Sequence, residues 1–160
     1  MLRIALGADA YGFPLKETVK AYLQDQGYPV GDFGVAEPVA TTPYYEIAHT
    51  VAQRLVHQEF DRGILVCGTG MGMAIIANKH AGIYAAVCES RFAAEKSRSI
   101  NNANILTLGA LVTTDAVAKD IVDVWLNTGF TSGWEPAIQE WLRGSLPAIA
   151  ALEQQQFTVQ

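Results

Sequence analysis

The sequence predicts an α/β fold: a single-domain, Rossmann-like three-layer sandwich with a five-stranded parallel sheet and helices on both faces. Five short apolar runs alternate with helical patterns, and the run RGILVCG is almost continuously apolar, which is typical of a strand covered on both faces. A chain of 160 residues is long enough for one sizeable core and too short for two ordinary domains. We therefore predict one domain over residues 1–150 and a polar C-terminal tail over residues 151–160.

In the first half of the chain, RIALGAD is the first predicted strand, and the amphipathic helix PLKETVKAYLQDQG follows it and ends at Gly27. YPVGDFG is the second strand, and Pro43 opens a helix whose apolar positions run to Leu55. RGILVCG is the third strand, and it leads through a glycine-rich turn into the short helix MGMAIIANK.

In the second half, GIYAAVC is the fourth strand, and Ser90 is the expected N-cap of the helix SRFAAEKSRSINN. NILTLGA is the fifth strand, followed by a helix from about Thr114 to Asn127. From Glu135 onward we predict a last helix that is interrupted near Pro147 and ends in the loose segment EQQQFTVQ.

Composition excludes several classes of protein. The net charge is −5 with no basic cluster, so nucleic acid and anionic membranes are not expected as partners. The start of the chain reads as a strand rather than a signal peptide, and no apolar run is long enough to span a membrane. Cys67 and Cys88 lack the spacing of a zinc site or disulfide framework, which favours reduced thiols in a cytoplasmic protein. Apolar faces on the later helices and three tryptophans favour a homo-oligomer.

In wound parallel sheets, ligands bind beyond the carboxyl ends of the strands. The third strand ends at Cys67 and is followed by Gly68, Thr69, Gly70, Met71 and Gly72. Backbone N–H groups of such a loop, leading into a helix, can hold an anion. The G-x-G-x-G spacing matches neither a dinucleotide fingerprint nor a P-loop, and a simple tight turn would need the same small residues.

Cys67 stands where the strand meets this loop. A thiolate there could remove a proton from carbon while the loop N–H groups stabilise the resulting oxyanion. The alternative is a cysteine that acts only as a small buried hydrophobe, which is what we expect of Cys88. Thr69 could bind a substrate oxygen or cap the helix, and Asp9, at the end of the first strand, is expected to contact ligand hydroxyls. The surface is the expected location of the three histidines, at positions 49, 57 and 80.

Three stretches, IALGADAYGFPLKE, DRGILVCGTGMGMAIIANK and INNANILTLGALV, resemble the ribose-5-phosphate isomerase B and galactose-6-phosphate isomerase family over residues 1 to about 130. The resemblance implies a homodimer, a possible tetramer, and sites at the subunit interface. It also implies a cofactor-free and metal-free proton transfer between C1 and C2 of a sugar through a cis-enediolate. By position it gives Cys67 as the base, Gly68 to Gly72 as the anion hole, and Asn101 as a residue lent by the partner subunit. The substrate contacts that it implies are Thr69, Asp9 and Tyr44.

The chain departs from the family pattern at five positions. Ala10 and Ile100 stand where the family has histidines, the second of which opens the sugar ring. Leu111 replaces an arginine, and Trp134 and Ile138 fall where two arginines usually grip phosphate. Because bidentate arginines are the side chains suited to phosphate, their loss predicts an atypical substrate.

Three interpretations remain open. In the first, the protein is an aldose–ketose isomerase of a small pentose or tetrose phosphate. A tetrulose phosphate cannot close a furanose ring and needs no ring opener. Phosphate could then bind Lys79, Arg91 or Arg98, or a bare sugar could bind against Tyr11 and Trp134, with Glu89 or Glu46 as the acid. In the second, the chain is a non-catalytic or partner-dependent subunit of a hetero-oligomer. A different reaction through the same enediolate, such as epimerisation or phosphate elimination, is a third possibility.

Overall fold

The computed structural model describes residues 1–158. It contains five strands and six helices in the alternating order that the sequence predicts. The strands are β1 (Ile4–Ala8), β2 (Val30–Asp32), β3 (Arg62–Cys67), β4 (Ala85–Val87) and β5 (Ile105–Gly109). The helices are α1 (Phe13–Asp25), α2 (Tyr44–Val56), α3 (Met71–Ala77), α4 (Arg91–Ser99), α5 (Asp115–Asn127) and α6 (Pro136–Thr158).

The five strands form one sheet in the order β2-β1-β3-β5-β4, and every neighbouring pair is parallel. The predicted fold class is therefore confirmed. From β1 the chain moves outward to β2, then returns to the other side of β1 with β3. The crossover direction thus reverses between β1 and β3, and the crevice beyond their carboxyl ends is where sheets of this kind bind ligands. Asp9 and Cys67 lie at this crevice.

The sheet is buried on both faces. On one face, α1, α4 and α5 pack against the sheet, and the core there includes Leu6 and Val66 of the strands and Trp125 of α5. On the other face, α2 and α3 pack against the sheet, and the core there includes Leu65 of β3 and Met73 of α3. The side chain of Cys67 belongs to this second face, so the thiol points toward the α2–α3 side of the sheet.

A buried lysine holds the loop that follows β2. Lys16 of α1 is 1% exposed, and its Nζ donates to Asp32 Oδ2 at 2.8 Å and to the Val35 carbonyl at 2.7 Å. Burial alone would raise the pKa of Asp32, but the hydrogen bonds from Lys16 and Lys20 outweigh it and hold that pKa below its ordinary value. The loop held in this way includes Pro38, which borders the site described below.

The C-terminal segment differs from the prediction. The expected interruption near Pro147 is wrong, because α6 runs through Pro147 as one helix from Pro136 to Thr158. A proline inside a helix removes one i→i−4 hydrogen bond, and here the turns on either side continue despite that loss. Residues 151–158, predicted as a loose polar tail, are helical, and the last two residues of that tail lie outside the described part of the chain.

Candidate functional site

Cys67 is the last residue of β3 and lies at the centre of the candidate site. It is 6% exposed, and its sulfur accepts a hydrogen bond from the Gly70 N–H at 3.1 Å. Its carbonyl accepts the Ala110 N–H at 2.8 Å, which ties the end of β3 to the segment after β5. The loop therefore turns back over the sulfur and directs a backbone donor at it.

The loop has this shape because Gly70 adopts a left-handed conformation, with φ of 77°. A Cβ at this position would lie 3.0 Å from the backbone of Leu108. Both the dihedral angle and the close approach to β5 therefore require glycine. Beside it, the hydroxyl of the exposed Thr69 accepts the Met71 N–H at 3.4 Å, so Thr69 helps to hold the turn into α3.

Tyr44 covers the first turn of α3. A Cβ at Gly72 would lie 2.6 Å from Tyr44 Cε2, so the ring packs directly on the glycine backbone. The ring of Tyr44 also makes an edge contact with Tyr45, with the ring centroids 5.4 Å apart. The second half of the loop is therefore walled by an aromatic side chain from α2.

The segment after β1 forms the opposite wall. Asp9 Oδ1 accepts the Gly12 N–H at 2.9 Å. Ala10, Tyr11 and Pro38 line a cavity of about 280 Å³. Tyr11 is 74% exposed. Its Cβ lies 4.0 Å from the position that a Cβ on Gly68 would occupy.

Leu111 completes the rim above Gly68. A Cβ built on Gly68 would lie 3.4 Å from Leu111 Cδ1, and Leu111 is itself 76% exposed. With Tyr11 on the other side, the mouth of the site has an apolar rim that faces outward.

Of the predicted site residues, Asn101 is the one that the chain does not bring to this site. Helix α4 starts after β4 and runs back toward the start of β5, so Asn101, just beyond its end, lies at the opposite edge of the sheet from Cys67. Asn101 is exposed. Its role as a residue lent by a second copy stays a prediction.

Cations are scarce at the carboxyl edge of the sheet. Among the described residues, Lys16 and Lys20 both pair with Asp32 at the end of β2, and Arg91 after β4 pairs with Asp120 at 2.5 Å. Arg98, one of the three residues considered for phosphate binding, is 5% exposed, and its Nη1 donates to Asn102 and the Ala103 carbonyl, so it does not face the site. Burial lowers the pKa of Arg98 to about 10. Lys79 is exposed at the far end of α3.

The other cysteine and two histidines complete the comparison with the sequence. Cys88 is 1% exposed, as predicted for a small hydrophobe, and burial raises the pKa of its thiol. His49 Nδ1 and His80 Nε2 lie 2.7 Å apart and bridge α2 and α3. No sequence pattern signals this contact, because the two residues are 31 positions apart on separate elements.

The fold and this loop define an α/β protein with a candidate site where β1, β3 and β5 end, in which a buried thiol accepts a backbone N–H. A model of the ribose/galactose isomerase family matches residues 4–139, and the chain belongs to that family. It is thus an isomerase, as its close relatives are.

Two relatives act on four-carbon sugars. The chain is 46% identical over 153 residues to the 4-deoxy-4-sulfo-D-erythrose isomerase of Clostridium sp. strain MSTE9, with 96% of each chain covered. It is 42% identical over 134 residues to the D-erythrulose-4-phosphate isomerase of Pectobacterium atrosepticum, covering 83% of this chain and 88% of that one.

The fold matches a solved ribose-5-phosphate isomerase B from Clostridium thermocellum with a TM-score of 0.88 and 37% identity, covering 97% of this chain and 99% of the other. The family resemblance drawn from the sequence is therefore confirmed. None of the helices in the described part of the chain combines the length and apolar character needed to cross a membrane.

Proposed function

We propose that the protein is an aldose–ketose isomerase of a four-carbon sugar that carries an anionic group on C4, with Cys67 as the base. The proposal rests on one observation. Cys67 and the Gly68–Gly72 loop are present and in contact, whereas Ile100 stands where the family has the histidine that opens the sugar ring. A tetrose whose C4 bears phosphate or sulfonate has no free hydroxyl on C4 and cannot close a furanose ring. The acyclic aldehyde is then the bound form, and no ring opener is needed.

The relatives support the same substrate class. A 4-deoxy-4-sulfo-D-erythrose isomerase and a D-erythrulose-4-phosphate isomerase both act on sugars of this kind. Ribose 5-phosphate closes a furanose through its free C4 hydroxyl, so we expect it to be a poor substrate here.

In the proposed reaction, the Cys67 thiolate removes the proton from C2 of the aldose. The C–H electron pair forms the C1=C2 bond, and the carbonyl π pair moves to O1, which gives a cis-enediolate. N–H groups of the Gly68–Gly72 loop stabilise the oxyanion. The thiol then returns its proton to C1 while the O2 hydroxyl proton passes to O1, so that the C1=C2 pair forms the new C1–H bond and the O2–H pair forms the C2=O2 bond of the ketose. Cys67 is therefore a thiolate again at the end of the reaction.

We assign substrate-binding roles to the side chains that surround Cys67. Asp9 Oδ1 is held by the Gly12 N–H, which leaves Oδ2 for a substrate hydroxyl. Thr69, which is exposed two residues after Cys67, would bind a substrate oxygen through its hydroxyl. Tyr44 and Tyr11 would contact the carbon chain of the substrate from opposite sides.

We further propose a homodimer with the site at the subunit interface. Tyr11, Leu111 and Met71, which is 53% exposed, give the mouth of the site an apolar rim that a second copy would cover. The second copy would also supply Asn101. Both cysteines are free thiols, which supports a reducing cytoplasmic location.

The test is a substrate comparison by NMR. Wild type should convert 4-deoxy-4-sulfo-D-erythrose or D-erythrose 4-phosphate with kcat/KM about 100-fold or more above that for ribose 5-phosphate, the usual lower bound for a missing general acid–base group. Ile100→His should raise turnover of ribose 5-phosphate, whereas the matched control Ile100→Leu should not.

Preference for ribose 5-phosphate would contradict the proposed substrate class. Binding of a tetrose without any conversion would instead support the alternative, a subunit that requires a partner for activity. An epimer or inorganic phosphate as the product would identify a different reaction through the same enediolate.

A further inference from the structure

Two histidines form a contact that the proposed reaction does not use. His49 lies on α2 and is exposed, and His80 lies just beyond the end of α3. His49 Nδ1 and His80 Nε2 are 2.7 Å apart, and the two rings are tilted by 41° with their centroids 4.9 Å apart. The two imidazoles therefore join α2 to the end of α3 at the surface of the molecule.

The backbone fixes which nitrogen of His80 carries the proton. Its Nδ1 lies 3.1 Å from the carbonyl oxygen of Ile76 and 3.1 Å from that of Ala77. Because a carbonyl oxygen only accepts, Nδ1 carries the proton in the neutral ring, and Nε2 presents its lone pair to His49. A ring whose other N–H is held by a backbone carbonyl is the usual arrangement of a histidine that binds a metal ion.

Two imidazole nitrogens that face each other suit a divalent transition metal ion. Imidazole is a preferred ligand of zinc, copper and nickel, whereas magnesium and calcium prefer oxygen. With metal–nitrogen bonds of about 2.0–2.1 Å and a tetrahedral angle, the two nitrogens would lie about 3.3 Å apart, so they must separate by about 0.6 Å from their present 2.7 Å. The ring of His49 is exposed and free to make this movement, and its proton would then lie on Nε2.

Water would complete the coordination of such an ion. Within residues 1–158, no third histidine, cysteine, aspartate or glutamate joins the pair to form a larger group of metal ligands. Structural zinc sites are closed by four protein ligands, so an ion held by two histidines and water would be exchangeable. The net charge of −5 favours the approach of a cation.

We propose that His49 and His80 bind one divalent ion of the zinc, nickel and copper group, and that the bound ion clamps α2 to α3. The same two helices also meet where the ring of Tyr44 packs on Gly72, beside the Cys67 loop. The ion therefore stabilises a helix pair that supports the candidate site from outside it. This inference does not depend on which sugar the protein isomerises.

The first test is isothermal titration calorimetry of the untagged, metal-free full chain with Ni²⁺. Wild type should bind one Ni²⁺ per chain, and Mg²⁺ should show no saturable binding. His49→Gln and His80→Gln should each weaken Ni²⁺ binding by about 100-fold or more, because loss of a single second-shell partner already costs about 10–100-fold. His57→Gln, which changes the exposed histidine at the end of α2, is the matched control and should bind Ni²⁺ as wild type does.

Urea denaturation tests the clamp. An ion that binds only the native state stabilises it, so saturating Ni²⁺ should raise the urea midpoint of wild type and of His57→Gln. The midpoints of His49→Gln and His80→Gln should not move at the same Ni²⁺ concentration. Both variants should otherwise unfold cooperatively, which separates loss of the ion from loss of the fold.

Several results would overturn the proposal. One is the absence of saturable Ni²⁺ binding by wild type, and another is equal binding by wild type and both histidine variants. Loss of Ni²⁺ binding in Cys67→Ala would place the ion at the thiol instead of the histidine pair. Binding that depends on both histidines but leaves the urea midpoint of wild type unchanged would overturn the clamp.

Discussion

Replacing Gly70 by alanine tests how the loop holds the Cys67 sulfur. With φ of 77°, an L-residue at position 70 is strained, and the left-handed conformation costs about 1–2 kcal/mol. The new Cβ would also lie 3.0 Å from the Leu108 carbonyl carbon, in a central strand that cannot easily move. Crowding of this kind adds about 1 kcal/mol or more. We expect Gly70→Ala to lower the free energy of unfolding by about 3 kcal/mol, the sum of these two costs.

Gly82 provides a matched control. Its φ is 78° and a Cβ there would meet nothing within 4 Å, so Gly82→Ala should cost only the left-handed strain of about 1–2 kcal/mol. Urea denaturation of both variants measures the difference. Isomerase activity should fall in Gly70→Ala, since the shifted loop moves the N–H that bonds to Cys67, and should be kept in Gly82→Ala. Equal destabilisation, or full activity in Gly70→Ala, would refute the close approach to β5 as the reason for this glycine.

Three further predictions follow from other parts of the molecule. Mixing inactive Cys67→Ala with inactive Asn101→Ala should restore up to about a quarter of wild-type activity, because half of randomly paired symmetric dimers would carry one intact site. Lys16→Met should lower stability by about 2 kcal/mol in urea denaturation at neutral pH, because Asp32 and the Val35 carbonyl lose charge-assisted hydrogen bonds while Lys20 still pairs with Asp32. Cys88 should resist alkylation by iodoacetamide in the folded protein at about pH 8, since burial raises the pKa of its thiol and thiolate is the reactive form.

Each of these has a clear contrary result. No recovery on mixing, after confirmed subunit exchange, would argue against a shared site. For Lys16, the sign of the pH dependence is a second check. Because the pKa of Asp32 is lowered, its stabilisation is complete above about pH 4 and is lost as the pH falls below that. Lys16→Met should therefore lose less stability than wild type between neutral pH and about pH 3. Rapid labelling of Cys88 in native protein would contradict its burial.

Much of the fold could be predicted from the sequence because the signals are local. The apolar run RGILVCG predicts a strand buried on both faces, and Ser90 does cap α4, accepting the Ala93 N–H at 3.1 Å. Pro147 shows the limit of such signals. A proline predicts a break, but whether the helix resumes depends on the turns beside it, and here α6 continues.

The site could be predicted only in part. Cys67 and its loop are contiguous, so their position at a strand end follows from the strand pattern. The packing of Tyr44 on Gly72 joins residues 28 apart in sequence and depends on how α2 lies against α3. Likewise, the sequence does not show that Arg98 is buried and that its Nη1 donates to Asn102 and the Ala103 carbonyl.

The most direct test of the account is deuterium incorporation from solvent. In D2O, an enediolate mechanism with Cys67 as the base should introduce deuterium at C1 of the ketose formed from a C4-anionic tetrose, observed by NMR. Cys67→Ala should abolish both exchange and conversion while circular dichroism and thermal unfolding remain close to wild type. A folded Cys67→Ala protein that still exchanges the proton at the wild-type rate would contradict the central claim that this thiol is the base.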